Sequence, residues 1–221
     1  MSLPAPANIP TLLSYFGLRK AIGVIGIALP FVLWFGQPLL DQLLGAASGI
    51  PSSVSGYYYS PLRDVFVGSL CAIGVFLFSY KGYDKKDAIA GKIASFSALG
   101  VALFPTTPDT GVTPLATFIG YVHAFFAAFF FLTLAIFSLV LFRKTDETKA
   151  PTWQKLQRNK VYLTCGITIL LCLVLIAIIH FLPSGASIWR FYPVFWLETI
   201  ADVAFGVSWL VKGEAILKDG G

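Results

Sequence analysis

The chain is a series of long apolar runs separated by short polar connections. Six runs are each about 18 residues long or longer, the length that an α-helix needs to cross the hydrocarbon of a bilayer. They lie near 18–40, 61–80, 87–104, 115–142, 160–181 and 194–212. Backbone polar groups must be hydrogen-bonded within each span, so these runs predict helices. The pattern predicts an all-α, polytopic membrane protein in which residues 1–221 form a single domain of six transmembrane helices.

Composition agrees with a membrane protein. Apolar residues make up 57% of the chain and charged residues 12%, against about 45–50% and about 25% in soluble domains. Cys71, Cys165 and Cys172 lie in apolar runs, where we expect small hydrophobes and no disulfide. A net charge of +5 could indicate an acidic partner, but the distribution of this charge along the chain gives a simpler explanation.

The basic residues collect in alternate connections. All 16 lysines and arginines except Arg63 and Arg190 fall on one side of the predicted membrane. Short cytoplasmic loops normally carry the excess of Lys and Arg. We therefore expect both termini in the cytoplasm and the chain in a plasma or inner membrane. Membrane lipids are the expected partners, nucleic acid is not expected, and a homo-oligomer or a membrane protein partner is left open.

Several ionisable side chains are predicted to share the outer half of the bilayer. Counting about 1.5 Å per helical residue from the outer ends of the spans brings them to similar depths. They are Asp64, His123, His180, Glu198 and Asp202. Burying such a group in hydrocarbon costs roughly 2.5 kcal/mol or more, so this convergence indicates a functional site.

Glu198 and Asp202 give the strongest signal, because their i, i+4 spacing stacks two carboxylates on one helix face. Two like charges there need a proton, a base or a metal between them. Imidazole and carboxylate are ligand types for zinc, iron or manganese, so we expect a divalent metal held by His123, His180, Glu198 and Asp202. Glu198, Asp202 and Asp64 would be the catalytic groups, and Arg63 and Arg190 would bind substrate.

Each of these residues also has a structural interpretation. Asp64 follows Pro61 and is placed to cap the second helix. His180 is placed to reach the membrane surface, and His123 to form an interhelical hydrogen bond. Glu198 with Asp202 is consistent with a purely structural polar clamp. The sequence does not choose between these roles and a functional site.

Two resemblances bear on function. The architecture is distantly similar to the membrane hydrolases that include alkaline ceramidases and adiponectin receptors. Those proteins have seven spans, a Ser-x-x-x-His element and a late His-x-x-x-His pair, whereas this chain has Glu198-x-x-x-Asp202 on its last span. The chain also resembles six-span prokaryotic membrane proteins whose function is not known. That likeness rests on the stretches 57–64, 82–84 and 102–105 with His123 and Glu198, and it implies no activity.

Three functions are left open by the sequence. The first is a metal-dependent hydrolase that acts on a lipid-like substrate at the outer leaflet, with metal-bound water as the nucleophile. The second is a proton- or cation-coupled carrier, although the inner halves of the second, fourth and sixth spans carry almost no ionisable residue and no inverted repeat is apparent. The third is a non-enzymatic accessory or lipid-binding subunit.

Overall fold

Six α-helices make up most of the computed structural model, which describes residues 10–45, 49–82, 84–145, 151–183 and 186–217, with side chains from residue 16 onward. Tyr83 of the stretch 82–84 and two of the basic residues, Lys149 and Lys218, lie outside these residues. The described residues contain no β-strand, so the all-α prediction is confirmed. The helices are α1 Pro10–Leu44, α2 Arg63–Phe78, α3 Lys85–Leu103, α4 Pro114–Ile136, α5 Trp153–His180 and α6 Pro193–Lys212.

The number of membrane spans differs from the prediction of six. Within the described residues, four segments are long and apolar enough to cross a membrane. They are Phe16–Leu44, Pro114–Leu141, Trp153–His180 and Pro193–Lys212. The other two runs are helices but fall short as spans. α2 has 16 residues and rises about 24 Å, less than a hydrocarbon core of about 30 Å. α3 begins with Lys85, Lys86 and Asp87 and carries Lys92 as well.

Helix starts follow local sequence signals. The Asp84 side chain accepts hydrogen bonds from the backbone N–H groups of Lys86 and Asp87, and the Asp87 carboxylate accepts one from the Asp84 N–H, which forms a capping box for α3. The Thr113 hydroxyl accepts from the Ala116 N–H at the start of α4. These bonds satisfy backbone donors that have no partner inside the helix.

The six helices form a closed ring. Each helix packs against the helices before and after it in the chain, and α6 packs against α1. The α1–α6 seam is close because two glycines face each other there. A Cβ atom on Gly23 would lie 2.8 Å from the Gly206 carbonyl oxygen, which is nearer than real Cβ atoms approach. Small residues of this kind let membrane helices pack backbone to backbone.

The ring has two distinct ends. The α1–α2 connection, residues 49–62, covers one end and contains a short 3₁₀ helix at Ser55–Tyr59. We call this connection the lid and this end the lid end. The starts of α4 and α6 lie at the same end. At the other end, which we call the basic end, Arg19 near the start of α1 donates from Nη1 to the Lys212 carbonyl oxygen at 3.2 Å.

Aromatic side chains fill the interior between the two ends. Trp209 on α6 is fully buried and meets Tyr80, Phe137 and Phe142 edge to face, with ring centroids 5.2, 5.5 and 5.2 Å away. Phe205, one turn nearer the lid, contacts Trp209 at 6.2 Å. Such pairs stabilise a core by about 0.5–1.5 kcal/mol beyond the area they bury. They place an apolar floor beneath the lid end.

Candidate functional site

Glu198 and Asp202 lie one turn apart on α6 and both line a small cavity beneath the lid. The cavity has a volume of about 30 Å³, which is room for about two water molecules. Besides the two carboxylates, the Ser55 hydroxyl is the one polar side-chain group in the part of the lining that the structure describes. The other lining residues are Gly26, Leu29, Val54, Phe66, Leu70, Ile73, Val101, Phe130, Phe131 and Phe205. No basic side chain of this lining neutralises the two carboxylates.

The Glu198 carboxylate holds the lid through three hydrogen bonds. Its Oε2 accepts from the Val54 N–H at 2.6 Å and from the Ser55 N–H at 3.4 Å, and its Oε1 accepts from the Ser55 hydroxyl at 3.0 Å. Hydrogen bonds to a charged group contribute about 1.5–3 kcal/mol each, roughly twice a neutral bond. Glu198 is therefore the main polar attachment between α6 and the lid.

Four further hydrogen bonds fasten the lid, two of which run from Ser52 to Asp109. The Phe195 N–H on α6 donates to the Ser52 carbonyl oxygen at 3.2 Å. In the α3–α4 connection, the Asp109 carboxylate accepts from the Ser52 hydroxyl at 2.7 Å, and the Thr106 carbonyl oxygen accepts from the Tyr59 hydroxyl at 2.8 Å. The lid thus bridges α6 and the α3–α4 connection.

Tyr57 anchors the centre of the lid. Its side chain is fully buried and its ring lies 6.2 Å from that of Phe195. Burial and the nearby Tyr192 raise the pKa of Tyr57 to about 12. The phenol is therefore neutral at physiological pH, and it adds no charge beside the cavity.

Asp202 differs from Glu198 in its surroundings. Among the described residues its carboxylate makes no hydrogen bond and no ion pair, and the charge that acts on it there is that of Glu198. A like charge at i, i+4 is destabilising even on an exposed helix, and the effect is larger where little water screens it. The pair is therefore expected to hold a proton.

His123 has a structural partner. The side chain is buried and its Nδ1 lies 2.7 Å from the carbonyl oxygen of Phe104, the residue that follows α3. A carbonyl oxygen only accepts, so Nδ1 carries the proton in this bond. His123 is not part of the cavity lining. It joins α4 to the end of α3, which is the interhelical interpretation left open by the sequence.

The other predicted site residues lie on the surface of the lid end. His180, the last residue of α5, is exposed, as are Asp64, Arg63 and Arg190. The Arg63 guanidinium donates from Nη2 to the Tyr58 hydroxyl at 2.9 Å and lies 4.5 Å from the centre of the same ring. Of the predicted site residues, the structure brings only Glu198 and Asp202 together.

These positions bear on the predicted metal. Within the described residues, no group of three or more His, Cys, Asp or Glu side chains is arranged to hold a metal ion. Zinc sites use at least three protein ligands, whereas the cavity offers two carboxylates and no imidazole. The residues that line the cavity do not supply the three ligands of a zinc site. The metal stays a prediction from the sequence.

A second polar cluster lies at the basic end, where the sequence analysis placed no site. Asp87 is buried, with 1% of its surface exposed. Lys144 bridges it to Asp84, with Nζ 2.9 Å from Asp87 and 3.0 Å from Asp84. The hydrogen bond from Lys144, with help from the Asp87 backbone, lowers the pKa of Asp84. The Asp-x-x-Asp spacing of the capping box was the one available signal for this cluster.

Comparison with protein family models, with curated proteins and with solved structures found no match for this chain.

Proposed function

We propose that this is a non-enzymatic membrane protein whose lid opens and closes in response to protons. One observation carries the proposal: Glu198 fastens the lid with its carboxylate, while Asp202, one turn away in the same cavity, has no partner among the described residues. A site built in this way couples its proton content to the position of a surface segment.

The closed lid corresponds to one proton in the carboxylate pair. Ionised Glu198 accepts all three lid hydrogen bonds, since a carboxylate is an acceptor only. A proton on Asp202 removes the repulsion between the two groups. The remaining lining residues of the cavity carry no titratable side chain, so the pair alone sets the charge there.

A second proton opens the lid. When Glu198 is protonated, one of its oxygens becomes a hydroxyl and its bonds from Val54 and Ser55 lose their charge-assisted strength. The Asp109 attachment is exposed and contributes about 1 kcal/mol or less. Acidification at the lid end therefore releases the strongest attachment first.

The size and floor of the cavity favour this role over the alternatives. Room for about two water molecules does not admit a lipid headgroup, which lowers support for the hydrolase. The aromatic layer of Phe205 and Trp209 separates the carboxylates from the basic end, which lowers support for a carrier. We place the protein in a plasma or inner membrane with both termini in the cytoplasm and the lid outside, on the strength of the basic-residue bias.

The test is hydrogen exchange of the lid amides by mass spectrometry in detergent at neutral and acidic pH, corrected for intrinsic exchange rates. Wild type is expected to exchange slowly at neutral pH and at least about tenfold faster in acid, as the loss of one charged hydrogen bond implies. Glu198→Gln exchanges fast at both pH values. Asp202→Asn keeps the lid closed at neutral pH and still opens in acid.

Asp64→Asn is the matched control, because it removes an exposed carboxylate at the same end without touching the cavity. Its lid exchange is expected to follow wild type at every pH. Equal exchange in wild type and Glu198→Gln across the pH range would contradict the proposal.

A further inference from the structure

Three consecutive tyrosines in the lid lie in different surroundings. Tyr57 is fully buried, Tyr58 is half-buried and Tyr59 is 51% exposed. The Tyr59 hydroxyl donates to the Thr106 carbonyl oxygen at 2.8 Å, and the Tyr58 hydroxyl accepts from Arg63 Nη2 at 2.9 Å. Each of these two hydroxyls therefore has a hydrogen-bond partner.

The Tyr57 hydroxyl differs from its two neighbours. It is buried, and it makes no hydrogen bond to any residue that the structure describes. The whole residue is 0% exposed, so no space large enough for a water molecule touches the hydroxyl while the lid is closed. A phenolic hydroxyl can both donate and accept a hydrogen bond, and in the described part of the chain neither capacity is used.

An unpaired buried hydroxyl opposes closure of the lid. A polar group that loses water without gaining a hydrogen bond raises the free energy of the closed state. The aromatic ring of Tyr57 acts in the other direction, because it packs against Phe195 of α6 with ring centres 6.2 Å apart. When the lid leaves α6, the hydroxyl regains water. The ring and the hydroxyl of one side chain therefore have opposite effects on the closed lid.

Tyr57 is also linked directly to the strongest attachment of the lid. Its backbone N–H donates to the Val54 carbonyl oxygen at 3.2 Å, and the Val54 N–H donates to Glu198 at 2.6 Å. The unpaired hydroxyl and the Glu198 contact thus belong to one short turn. We expect this turn to leave α6 as a unit, so that the cost at Tyr57 offsets part of the attachment at Glu198.

We propose that the Tyr57 hydroxyl weakens the closed lid and so determines how readily the lid opens. The inference rests on the proton-responsive lid proposed above, in which Glu198 supplies the attachment that protons release. With a pKa of about 12, the phenol stays neutral over the physiological and acidic range. Its effect on the lid is therefore the same with and without the second proton.

The test makes one substitution at each of the three tyrosines and measures hydrogen exchange of the lid amides in detergent at neutral and acidic pH. Tyr57→Phe removes the unpaired hydroxyl and keeps the ring. We expect its lid to exchange at least about fivefold more slowly than wild type at both pH values. Tyr59→Phe removes a bond to the α3–α4 connection, and its lid is expected to exchange about two- to fivefold faster.

Tyr58→Phe is the matched control. It removes a bond to the exposed Arg63 at the start of α2 and leaves the attachments of the lid to α6 and to the α3–α4 connection in place. Its lid exchange is expected to stay within about twofold of wild type. The same chemical change at adjacent positions thus has three different expected results.

Faster exchange in Tyr57→Phe than in wild type would overturn the proposal, because it would show that the hydroxyl is hydrogen-bonded in the closed lid. Equal exchange would overturn it too, since the hydroxyl would then cost nothing. Thermal unfolding gives a second measurement, and a midpoint for Tyr57→Phe below that of wild type would also count against the proposal. Failure of the proton-responsive lid has a separate signature, which is equal exchange in wild type and Glu198→Gln across the pH range.

Discussion

The Glu198 carboxylate accepts a hydrogen bond of 2.6 Å from the backbone N–H of Val54, a residue 144 positions earlier in the chain. The contact joins the last of the six helices to the connection that follows the first. Both residues line the cavity, so the Glu198 side chain holds the lid in place and also contributes charge to the cavity.

Removing this attachment is expected to cost more stability than removing the exposed one. Glu198→Ala leaves the Val54 and Ser55 N–H groups without their acceptor, and we expect a loss of about 2–4 kcal/mol in the free energy of unfolding. Asp109→Ala breaks exposed bonds to Ser52 and is expected to cost about 1 kcal/mol or less. Thermal unfolding in one detergent measures both. A larger loss for Asp109→Ala would show that the lid is held mainly by the α3–α4 connection.

The two histidines are expected to respond differently to replacement. His123→Ala removes the donor to the Phe104 carbonyl oxygen and leaves the volume of a buried side chain empty, so we expect a loss of about 2 kcal/mol or more. His180→Ala changes an exposed residue and is expected to stay within about 0.5 kcal/mol of wild type. Unfolding measurements compare the two. Elemental analysis of the same samples tests the predicted metal. Stoichiometric metal in wild type that both variants lose would support it.

The Asp84–Lys144 pair predicts a pH dependence at the basic end. The pKa of Asp84 is lower in the folded protein than in the unfolded chain. The stabilising contribution of Asp84 is therefore complete above its unfolded pKa of about 3.9 and is lost as pH falls through its folded pKa. We expect wild-type stability to decline over this acidic range and Asp84→Asn to lack that part of the decline. Unfolding midpoints measured from neutral pH downward test it, with Asp64→Asn as the control. Parallel curves for wild type and Asp84→Asn would contradict the expectation.

The α1–α6 seam is expected to be intolerant of side chains. A Cβ atom on Gly206 would lie 2.5 Å from the Gly23 carbonyl oxygen, and relieving such overlap costs about 1–3 kcal/mol. Gly206→Ala should therefore lower the unfolding midpoint. Gly68→Ala on α2 is the matched control, because nothing lies within 4 Å of its Cβ position and alanine favours a helix by about 1 kcal/mol. Equal midpoints for the two variants would mean that the seam is looser than the structure indicates.

The sequence predicted the helices well because a long apolar run leaves the backbone few alternatives. It also predicted the proximity of Glu198 and Asp202, because i, i+4 spacing within one helix fixes their separation. It did not predict the direction that His123 takes. Counting residues along a span gives depth, but the direction around the helix axis depends on which neighbour packs there, and α4 turns His123 toward Phe104.

The lid attachments were missed for a different reason. Glu198 binds backbone N–H groups of Val54 and Ser55, and a backbone donor has no signature in the sequence. Arg19 and Lys212, both buried at the basic end, indicate only topology in the sequence, because each lies near the end of a predicted run. Only the closure of α6 onto α1 brings Arg19 against Lys212.

The packing of α6 against α1 also determines when the cavity can form during synthesis. Because a chain is synthesised from its N-terminus, α1 and the lid leave the ribosome before α6 does. Until α6 is inserted, the Gly23 face of α1 has no neighbour and the Val54 N–H has no acceptor. The cavity therefore forms only once α6 is inserted, and a nascent chain interrupted before α6 presents an open ring to membrane chaperones and proteases.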